Sequence, residues 1–384
     1  MLGIRGCDIL DTTIGRRRGN SRSLFRLQEK CVQLFESTLH PEARALLDPQ
    51  FLLEGFASQS IQIVLEETCT HCTLRVTEIQ KANMNYNTPM RIFVTGATGL
   101  LGTRLVDSLI STENEVIVVS RNANRASNHF RNSSIEILEG DVTLQGDWQK
   151  TASECDAIVH LAGAGIVDRR WTTSYKKVLR SSRIESTKNV AEVASKILIC
   201  ASATGFYGDC SDQELVEQDP AGNDFLGLLC KEWEEAANCA CGRVVSLRFG
   251  IILDSRGGAL AKMVPLFRLG LGGPIGNGKQ YWPWIAWQDA SQVVQEALLQ
   301  EWEGAINAVA PEQVTCREFT RTLARVMKRP SIVKTPAFAL RMIMGEGSCV
   351  LTASQRVNPR VLCDKGFQFQ LPTLHNCFVS LFRA

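Results

Sequence analysis

The sequence lacks the features that define several broad classes of protein. Its 384 residues carry a formal net charge of +2, which gives no reason to expect a nucleic acid or an anionic membrane as a partner. It contains no run of the roughly 18 apolar residues that a membrane-spanning helix needs. Histidine is scarce, with five residues. Few histidine ligands therefore exist for a metal site, and we expect none.

Cysteine, by contrast, is plentiful, but the 14 residues are scattered and form no disulfide framework. Cys155, Cys200 and Cys230 fall within predicted strands and helices, where a free thiol behaves as a small apolar residue. We therefore predict a reducing compartment, the cytoplasm. Cys69 and Cys72 have C-x-x-C spacing without the second pair that a zinc site would need. We interpret them as ordinary thiols on or near a strand.

Residues 1–89 differ from the rest and are predicted to form a separate N-terminal extension. Residues 1–23 carry five arginines among serines and threonines, as an organelle transit peptide does, but Asp8 and Asp11 argue against one. Residues 60–78 alternate like one or two strands. The extension is consistent with an appended domain, a partly ordered segment or a stretch removed from the mature protein. Import into an organelle is therefore the alternative to the cytoplasm.

The clearest motif of the chain runs from Arg91 to Gly102. A short apolar run ends at a glycine and an apolar-periodic segment follows, which predicts a strand, a tight turn and a helix. Glycines in the G-x-x-G-x-x-G spacing would turn the chain, admit a pyrophosphate and let the helix pack on the strand. The phosphates would lie on the helix N-terminus. The predicted cofactor contacts here are Gly96, Thr98, Gly99, Leu100, Leu101 and Gly102. A plain strand-to-helix turn of another α/β fold is the alternative.

From Met90 onward, strand and helix patterns alternate, which indicates a parallel sheet with helices on both faces. We predict an α/β fold in which residues 90–250 form a Rossmann doubly wound parallel sheet. Residues 251–384 are richer in glycine loops and are predicted to form a small substrate-side lobe interleaved with that core. The predicted strands are 91–95, 115–120, 135–139, 157–161, 197–201 and 244–248, and the clearest helices are 172–195, 223–240 and 318–327.

The end of the second predicted strand indicates which dinucleotide would bind. NAD-binding proteins carry an acidic residue for the ribose hydroxyls about 20 positions beyond the glycines, whereas here the tip carries Ser120, Arg121 and Arg125. A guanidinium holds a 2′-phosphate through charge-assisted hydrogen bonds, and a carboxylate would repel it. We therefore predict NADP(H), with a solvated loop arginine as the alternative for Arg121.

The next two strand ends would lie along the same cofactor path. Asp141 and Val142 follow the third strand, where a carboxylate can accept from the adenine amino group. His160 ends the fourth strand, just before Gly163. We interpret His160 as a hydrogen-bonded core histidine, because a lone histidine in such a position is more often structural than catalytic.

A series of further motifs resembles one branch of the extended short-chain dehydrogenase/reductase superfamily, the atypical epimerase family of the nucleotide-sugar epimerase type. The resemblance covers residues 90–382. It implies a Rossmann domain with NADP(H), held in part by Ser120, Arg121, Leu161, Ala162, Arg183 and Ile252. The motifs that carry it are Arg170-Trp171, Ser182-Arg183, Ser202 to Gly208, Asp224-Phe225-Leu226, Trp233-Glu234, Leu247 to Leu253, Leu269 to Gly276 and Gly345-Glu346.

The catalytic groups of that superfamily are not all present. Active members use a Tyr-x-x-x-Lys pair on one helical face, in which the lysine lowers the tyrosine pKa for proton exchange with the substrate. Here the pair falls on Leu226 and Cys230. The remaining catalytic candidates are Ser202, which could polarise a carbonyl or hydroxyl, Tyr207 and Cys230.

Two functions follow from these observations. The first is an NADP(H)-binding oxidoreductase or epimerase-like enzyme acting on a small polar substrate such as a nucleotide sugar. The second is a non-catalytic NADP(H)-binding regulatory or structural protein, since the Tyr-x-x-x-Lys pair is missing. The expected partners are a small-molecule substrate and, in a homodimer, a second copy of the chain.

Overall fold

The structure is a computed structural model that describes residues 64–68, 71–75, 89–131, 134–331 and 333–382. The chain divides into two compact units, Met1–Met84 and Asn85–Ala384. In the first unit, two described strands pair antiparallel with Val64 opposite Arg75, in agreement with the alternation over residues 60–78. The expectations for residues 1–23 and for Cys69 lie outside the described residues.

The strands of the described residues are numbered in chain order. They are β1 (Val64–Thr68), β2 (His71–Arg75), β3 (Arg91–Thr95), β4 (Glu115–Ser120), β5 (Ile135–Glu139), β6 (Ala157–His160), β7 (Ile197–Ala203), β8 (Glu214–Leu215), β9 (Arg243–Phe249), β10 (Ile251–Leu253), β11 (Trp284–Ala286), β12 (Gly304–Ala308) and β13 (Arg356–Val357).

Seven of these strands form one parallel sheet, in the order β12-β9-β7-β6-β3-β4-β5. The chain enters the sheet in its interior at β3 and runs outward through β4 and β5. It then returns to the other side of β3 at β6. The strand order therefore reverses between β3 and β6, and in open α/β sheets a ligand binds at the carboxyl ends of the strands at this reversal. The predicted Rossmann fold is confirmed.

The helices of the described residues are also numbered in chain order. They are α1 (Leu100–Ser111), α2 (Ala123–His129), α3 (Trp148–Ser153), α4 (Thr173–Ala191), α5 (Phe225–Ala237), α6 (Gly258–Arg268), α7 (Trp287–Leu299), α8 (Cys316–Val326), α9 (Ala337–Met344), α10 (Cys349–Thr352), α11 (Arg360–Asp364) and α12 (Leu374–Phe382), with 3₁₀ turns at Thr204–Tyr207 and Glu346–Ser348. No helix in the described part of the chain is both long and apolar enough to cross a membrane.

The core is divided by the sheet because its central strands are buried on both faces, as parallel strands are. On one face, the apolar sides of α1 and α7 pack against residues such as Ile92 and Val94. On the other face, α3, α4 and α5 pack against residues such as Phe93 and Ile158. The alternation along β3 therefore sends successive side chains into two separate cores.

The chain beyond Gly250 contributes both to the sheet and to a lobe beside it. Strand β12 forms an edge of the main sheet, pairing parallel with β9. Strands β10 and β11 form a short parallel pair, and α6, α8 and α12 surround a third apolar cluster that includes Trp284, Phe319 and Phe378. Because β10 follows directly after the carboxyl end of β9, the lobe lies at that end of the sheet, where the glycine turn after β3 also lies.

Candidate functional site

The turn after β3 is shaped so that only glycine fits at two of its positions. Gly96 has φ +69°, and a Cβ atom there would lie 2.6 Å from the backbone carbon of Leu161. A Cβ atom on Gly102 would lie 2.3 Å from the carbonyl oxygen of Gly96. The first glycine therefore allows β3 and β6 to end side by side, and the second allows α1 to pack on the turn.

The N-terminus of α1 is open to an anionic ligand. Gly99 is its N-cap, with no side-chain hydrogen bond to the cap and no acidic residue in the first turn. Thr98 and Gly99 are exposed, whereas Leu100 is half-buried and Leu101 is buried. The free amides at this end can bind phosphate oxygens. Leu100 instead faces the lobe, because a Cβ atom on Gly257 would lie 2.7 Å from its Cδ1.

The tip of β4 is cationic and well ordered by local hydrogen bonds. The Ser120 hydroxyl donates to the Asn122 carbonyl at 3.2 Å and accepts from its amide at 3.3 Å. Asn122 then caps α2 by accepting from the Arg125 amide at 2.8 Å. Arg121 and Arg125 are exposed, and neither forms an ion pair with a described residue. Two guanidinium groups are therefore free to bind an anion here.

The ends of β5 and β6 lie at the same carboxyl edge of the sheet, where open α/β sheets form a ligand crevice. Asp141 Oδ1 accepts from the Thr143 amide at 2.9 Å and from its hydroxyl at 2.7 Å, which leaves Oδ2 for another donor. Val142 is buried. Leu161 and Ala162 lie directly beside the glycine turn, and the Ala162 amide donates to the Thr95 hydroxyl at 3.3 Å.

His160 links β3 and α4 through hydrogen bonds at the place where the strand order reverses. It is fully buried, with Nδ1 2.7 Å from the Thr95 hydroxyl and Nε2 3.2 Å from the Ser186 hydroxyl. Ser186 donates to the Ser182 carbonyl at 2.7 Å, so the proton between Ser186 and His160 belongs to Nε2. Burial lowers the pKa of His160 to about 4. The imidazole is therefore neutral, and His160 is a hydrogen-bonded core histidine as predicted from the sequence.

Arg183 is a cation without a carboxylate partner among the described residues. It projects from α4, donates to the Leu179 carbonyl at 3.2 Å, and stacks on Trp233 with its guanidinium carbon 5.1 Å from the ring centre. A Cβ atom on Gly163 would lie 3.5 Å from that carbon. Burial lowers the Arg183 pKa from its ordinary value. An anion beside Gly163 would supply the missing partner.

Ile252 lies at the lobe side of the crevice. It is half-buried in β10, opposite Ile285 of β11. The loop that follows is tied to α1, since Arg104 donates to the buried Asp254 at 2.8 Å. This pair fixes the lobe relative to the glycine turn.

Ser202 belongs to a buried polar network. Its hydroxyl is nearly inaccessible and donates to Glu234 Oε1 at 2.6 Å. Glu234 also accepts two bonds from Arg248, from Nε and Nη2, each at 2.8 Å. The carboxylate is therefore held by a bidentate guanidinium, and the serine proton is already committed to it.

Tyr207 belongs to the same network. Its hydroxyl accepts from Arg248 Nη1 at 3.0 Å and donates to Asn307 Oδ1 at 2.7 Å. The side chain is buried, and burial raises its pKa to about 12. Beyond Asn307, whose backbone N–H donates to Glu217 Oε1 at 3.1 Å, the network ends at a buried carboxyl group. It links β7, β9, β12 and α5.

Cys230 and Leu226 face inward from α5. Both are buried, and a Cβ atom on Gly205 would lie 3.5 Å from the Leu226 Cβ and 4.0 Å from the Cys230 sulfur. Burial raises the pKa of Cys230 to about 12, so the thiol is protonated at neutral pH. Lys231 is exposed and 3.9 Å from Glu235. No ammonium group therefore takes the place of the missing lysine on this face.

The structure thus places most of the predicted cofactor residues at or near the carboxyl ends of neighbouring parallel strands, and it buries the catalytic candidates Ser202, Tyr207 and Cys230. Arg248 and Asn307, whose side chains organise the buried network, were not among the predicted site residues. A signal existed for Arg248, a charged residue inside a predicted apolar strand, whereas Asn307 lies in a strand that was not predicted. No group of three potential metal ligands occurs in the described part of the chain.

Comparison with known proteins gives two matches to family models. Residues 92–224 match the NAD dependent epimerase/dehydratase family. Residues 335–381 match a domain of unknown function, DUF1731. The first match spans the glycine turn, Arg183 and Ser202, and the second spans the C-terminal part of the lobe.

Individual proteins are similar over most of the chain. The chloroplastic epimerase family protein SDR39U1 homolog of Arabidopsis thaliana is 33% identical over 85% of this chain and 95% of its own length. Epimerase family protein Mb2239 of Mycobacterium bovis is 36% identical over 74% of this chain and 94% of its own. A crystal structure of human epimerase family protein SDR39U1 (isoform 2) with NADPH superposes with a TM-score of 0.68 at 30% identity, covering 77% of this chain and 99% of that one.

Proposed function

This chain belongs to the NAD dependent epimerase/dehydratase family, and we propose that it binds NADP(H) and transfers hydride between the nicotinamide and a small polar substrate. The human relative was crystallised with NADPH. In this chain, the observation that supports NADP(H) most directly is the tip of β4, where Arg121 and Arg125 are exposed and free of ion pairs with described residues.

The residues along the carboxyl edge of the sheet offer a suitable contact to each part of such a cofactor. The exposed Thr98-Gly99 turn offers backbone amides at a helix N-terminus to the pyrophosphate. Arg121 would bind the 2′-phosphate, since a guanidinium forms charge-assisted bonds to phosphate oxygens. Asp141 Oδ2 would accept from the adenine. Ala162 and Gly163 would lie along the ribose, where Arg183 lacks an anionic partner.

The bound cofactor supplies the hydride, so the protein needs to position the substrate and manage a proton. Ser202, Tyr207 and Cys230 are poorly suited to exchange that proton. The first donates to Glu234, the second is enclosed by Arg248 and Asn307, and the third is a buried neutral thiol. We propose that they shape the wall behind the nicotinamide, and that the substrate exchanges its proton with water.

A specific observation favours a second candidate function. Leucine and cysteine occupy the positions of the Tyr-x-x-x-Lys pair, and both side chains are buried. A protein with an intact cofactor crevice and no proton donor at these positions could bind NADP(H) without turnover and act as a regulatory or structural component. In that case the complex of the protein with NADP(H) would itself be the functional form.

The two functions are separated by one experiment. Purified protein is mixed with NADPH and a panel of aldehydes, ketones and nucleotide sugars, and absorbance is followed at the nicotinamide band. Oxidation that needs the protein, and that persists in Ser202→Ala, supports hydride transfer with a structural serine. Tight NADPH binding without oxidation of any panel member contradicts it and leaves the non-catalytic function. Gly99→Asp, which places a carboxylate in the phosphate turn, is the control that should remove binding in either case.

For the compartment, we propose the cytoplasm or another reducing space. The ten cysteines from Cys155 to Cys377 are all free thiols, as expected where disulfides do not form. The Arabidopsis relative is described as chloroplastic, so organelle import through residues 1–89 is the alternative. A fluorescent fusion of the full chain, compared with one starting at Met90, tests this directly. Equal distribution of the two fusions would contradict import.

A further inference from the structure

The positive charges of the lobe are unevenly distributed. Residues 255–288 contain four cationic side chains and no acidic one, and residues 319–345 contain six and no acidic one. None of those six forms an ion pair with a described residue. They are Arg321, Arg325, Lys328, Arg329, Lys334 and Arg341. The net charge of +2 for the whole chain conceals this concentration, because the acidic residues lie elsewhere.

Among the described residues, the same two stretches carry most of the large apolar side chains that face solvent. Phe338 and Met342 are each 72% exposed and Ile343 is 71% exposed, all within about one and a half turns of α9. Leu269 is 72% exposed just beyond the end of α6. Leu266, Leu271 and Val333 complete the set. Exposed apolar side chains gathered in one region mark an interaction surface rather than ordinary surface variation.

The two stretches lie side by side. The Thr335 amide donates to the Pro274 carbonyl at 3.0 Å, and the Gly276 amide donates to the Thr335 carbonyl at 2.9 Å. A Cβ atom on Gly270 would lie 3.4 Å from Pro330. The loop after α6 is therefore packed along the segment that leads into α9. We call this part of the surface, residues 266–271, 328–331 and 333–343, the basic apolar edge.

An open pocket of about 690 Å³ adjoins this edge. Arg268, Lys328 and Arg329 line it together with the apolar side chains of Val326, Met327 and Phe382. A lining of three cationic and three apolar residues suits an anionic head group that remains attached to a hydrocarbon chain. A free soluble anion would make no use of the apolar part.

We propose that the basic apolar edge docks onto a membrane surface that contains anionic phospholipid. Phe338, Met342 and Leu269 would enter the boundary between head groups and acyl chains, as apolar residues of interfacial helices do. The flanking lysines and arginines would bind the negatively charged head groups. A second copy of the chain is a poorer occupant, because a symmetric contact would bring the same positive charges together.

The test is flotation of the full-length protein with lipid vesicles. Vesicles of phosphatidylcholine alone are compared with vesicles of phosphatidylcholine and phosphatidylglycerol, at low and high salt. We expect binding to the anionic vesicles only, and its loss at high salt. Each cation near an anionic membrane changes the binding constant by about fivefold. The double variant Lys328→Glu/Arg329→Glu should therefore weaken binding by at least about twentyfold.

A matched control separates the edge from net charge. Lys150→Glu/Lys177→Glu makes the same change in charge at two exposed lysines outside the lobe and should leave vesicle binding within about twofold of wild type. Phe338→Ser/Met342→Ser should weaken binding without altering its salt dependence. Circular dichroism and the thermal midpoint verify that each variant is folded.

Three results would overturn the proposal. The first is an absence of binding to anionic vesicles. The second is equal loss in the control and in Lys328→Glu/Arg329→Glu, which would indicate attraction by net charge alone. The third is a lipid-free dimer, seen by sedimentation, that Phe338→Ser/Met342→Ser converts to a monomer, since the edge would then be a contact between copies. None of these depends on NADP(H) binding.

Discussion

Removal of the Glu234 carboxylate tests the claim that Ser202 is part of a structural network. In Glu234→Ala, Arg248 would be left buried with no anion to pair with, and Ser202 would lose its acceptor. Breaking a buried ion pair by removing one partner costs about 3–5 kcal/mol. Ser202→Ala removes one donor while Arg248 still holds both carboxylate oxygens, so we expect a loss of about 1.5 kcal/mol.

The assay is equilibrium unfolding in denaturant, which gives the free energy of unfolding of each variant. A double variant, Glu234→Leu/Arg248→Met, removes both charges and should lose less stability than Glu234→Ala, because no buried charge remains unpaired. An equal loss of stability in Ser202→Ala and Glu234→Ala would contradict this assignment. So would a Ser202→Ala variant that is stable and binds NADPH but loses turnover that the wild type shows, since Ser202 would then be catalytic.

Three further predictions concern the buried histidine, the thiols and the glycine turn. The pKa of His160 is about 4 in the folded protein against 6.5 for a free histidine, so between these pH values the unfolded chain binds more protons. The free energy of unfolding should therefore fall by about 3 kcal/mol as the pH drops through this window. The same unfolding assay on His160→Asn should show a pH dependence that lacks this part. Alkylation of the native protein at mildly alkaline pH, read by mass spectrometry, should modify the exposed Cys239, Cys241 and Cys363 and spare Cys200 and Cys230, whose pKa values burial raises to about 12; early modification of Cys230 would show that its thiol is accessible and ionised. In Gly102→Ala, the added Cβ atom would meet the Gly96 carbonyl oxygen, so NADPH binding should be lost. The control is Gly366→Ala, at an open position with positive φ, which should lower stability and retain NADPH binding.

The parts of the fold that could be predicted from sequence are those with strong local signals. Strands β3, β4 and β5 have the predicted bounds because apolar β-branched runs end at glycine or polar residues there. Helix α4 ends four residues earlier than predicted, at Ala191. Strand β12 was missed because Gly304-Ala305-Ile306-Asn307-Ala308 has little intrinsic strand preference. Its pairing with β9 and burial at the sheet edge determine its conformation.

The residues of the site also fall into those with a local sequence signal and those without one. The glycine turn and the tip of β4 are short local patterns with a direct physical meaning, so their residues could be named in advance. The network around Glu234 depends on which residues of β7, β9, β12 and α5 come to lie within 3 Å of each other. No spacing in the sequence specifies that Ser202 would meet Glu234, 32 residues away, or that Tyr207 would meet Asn307, 100 residues away.

The measurement that tests the central claim most directly is a calorimetric titration of the protein with NADPH and with NADH, repeated on Arg121→Ala. Charge-assisted hydrogen bonds contribute about 1.5–3 kcal/mol, so wild type should bind NADPH at least about tenfold more tightly than NADH. Arg121→Ala should lose most of that preference and keep its affinity for NADH. Equal affinity of the wild type for the two cofactors, or an unchanged preference in Arg121→Ala, would contradict the account.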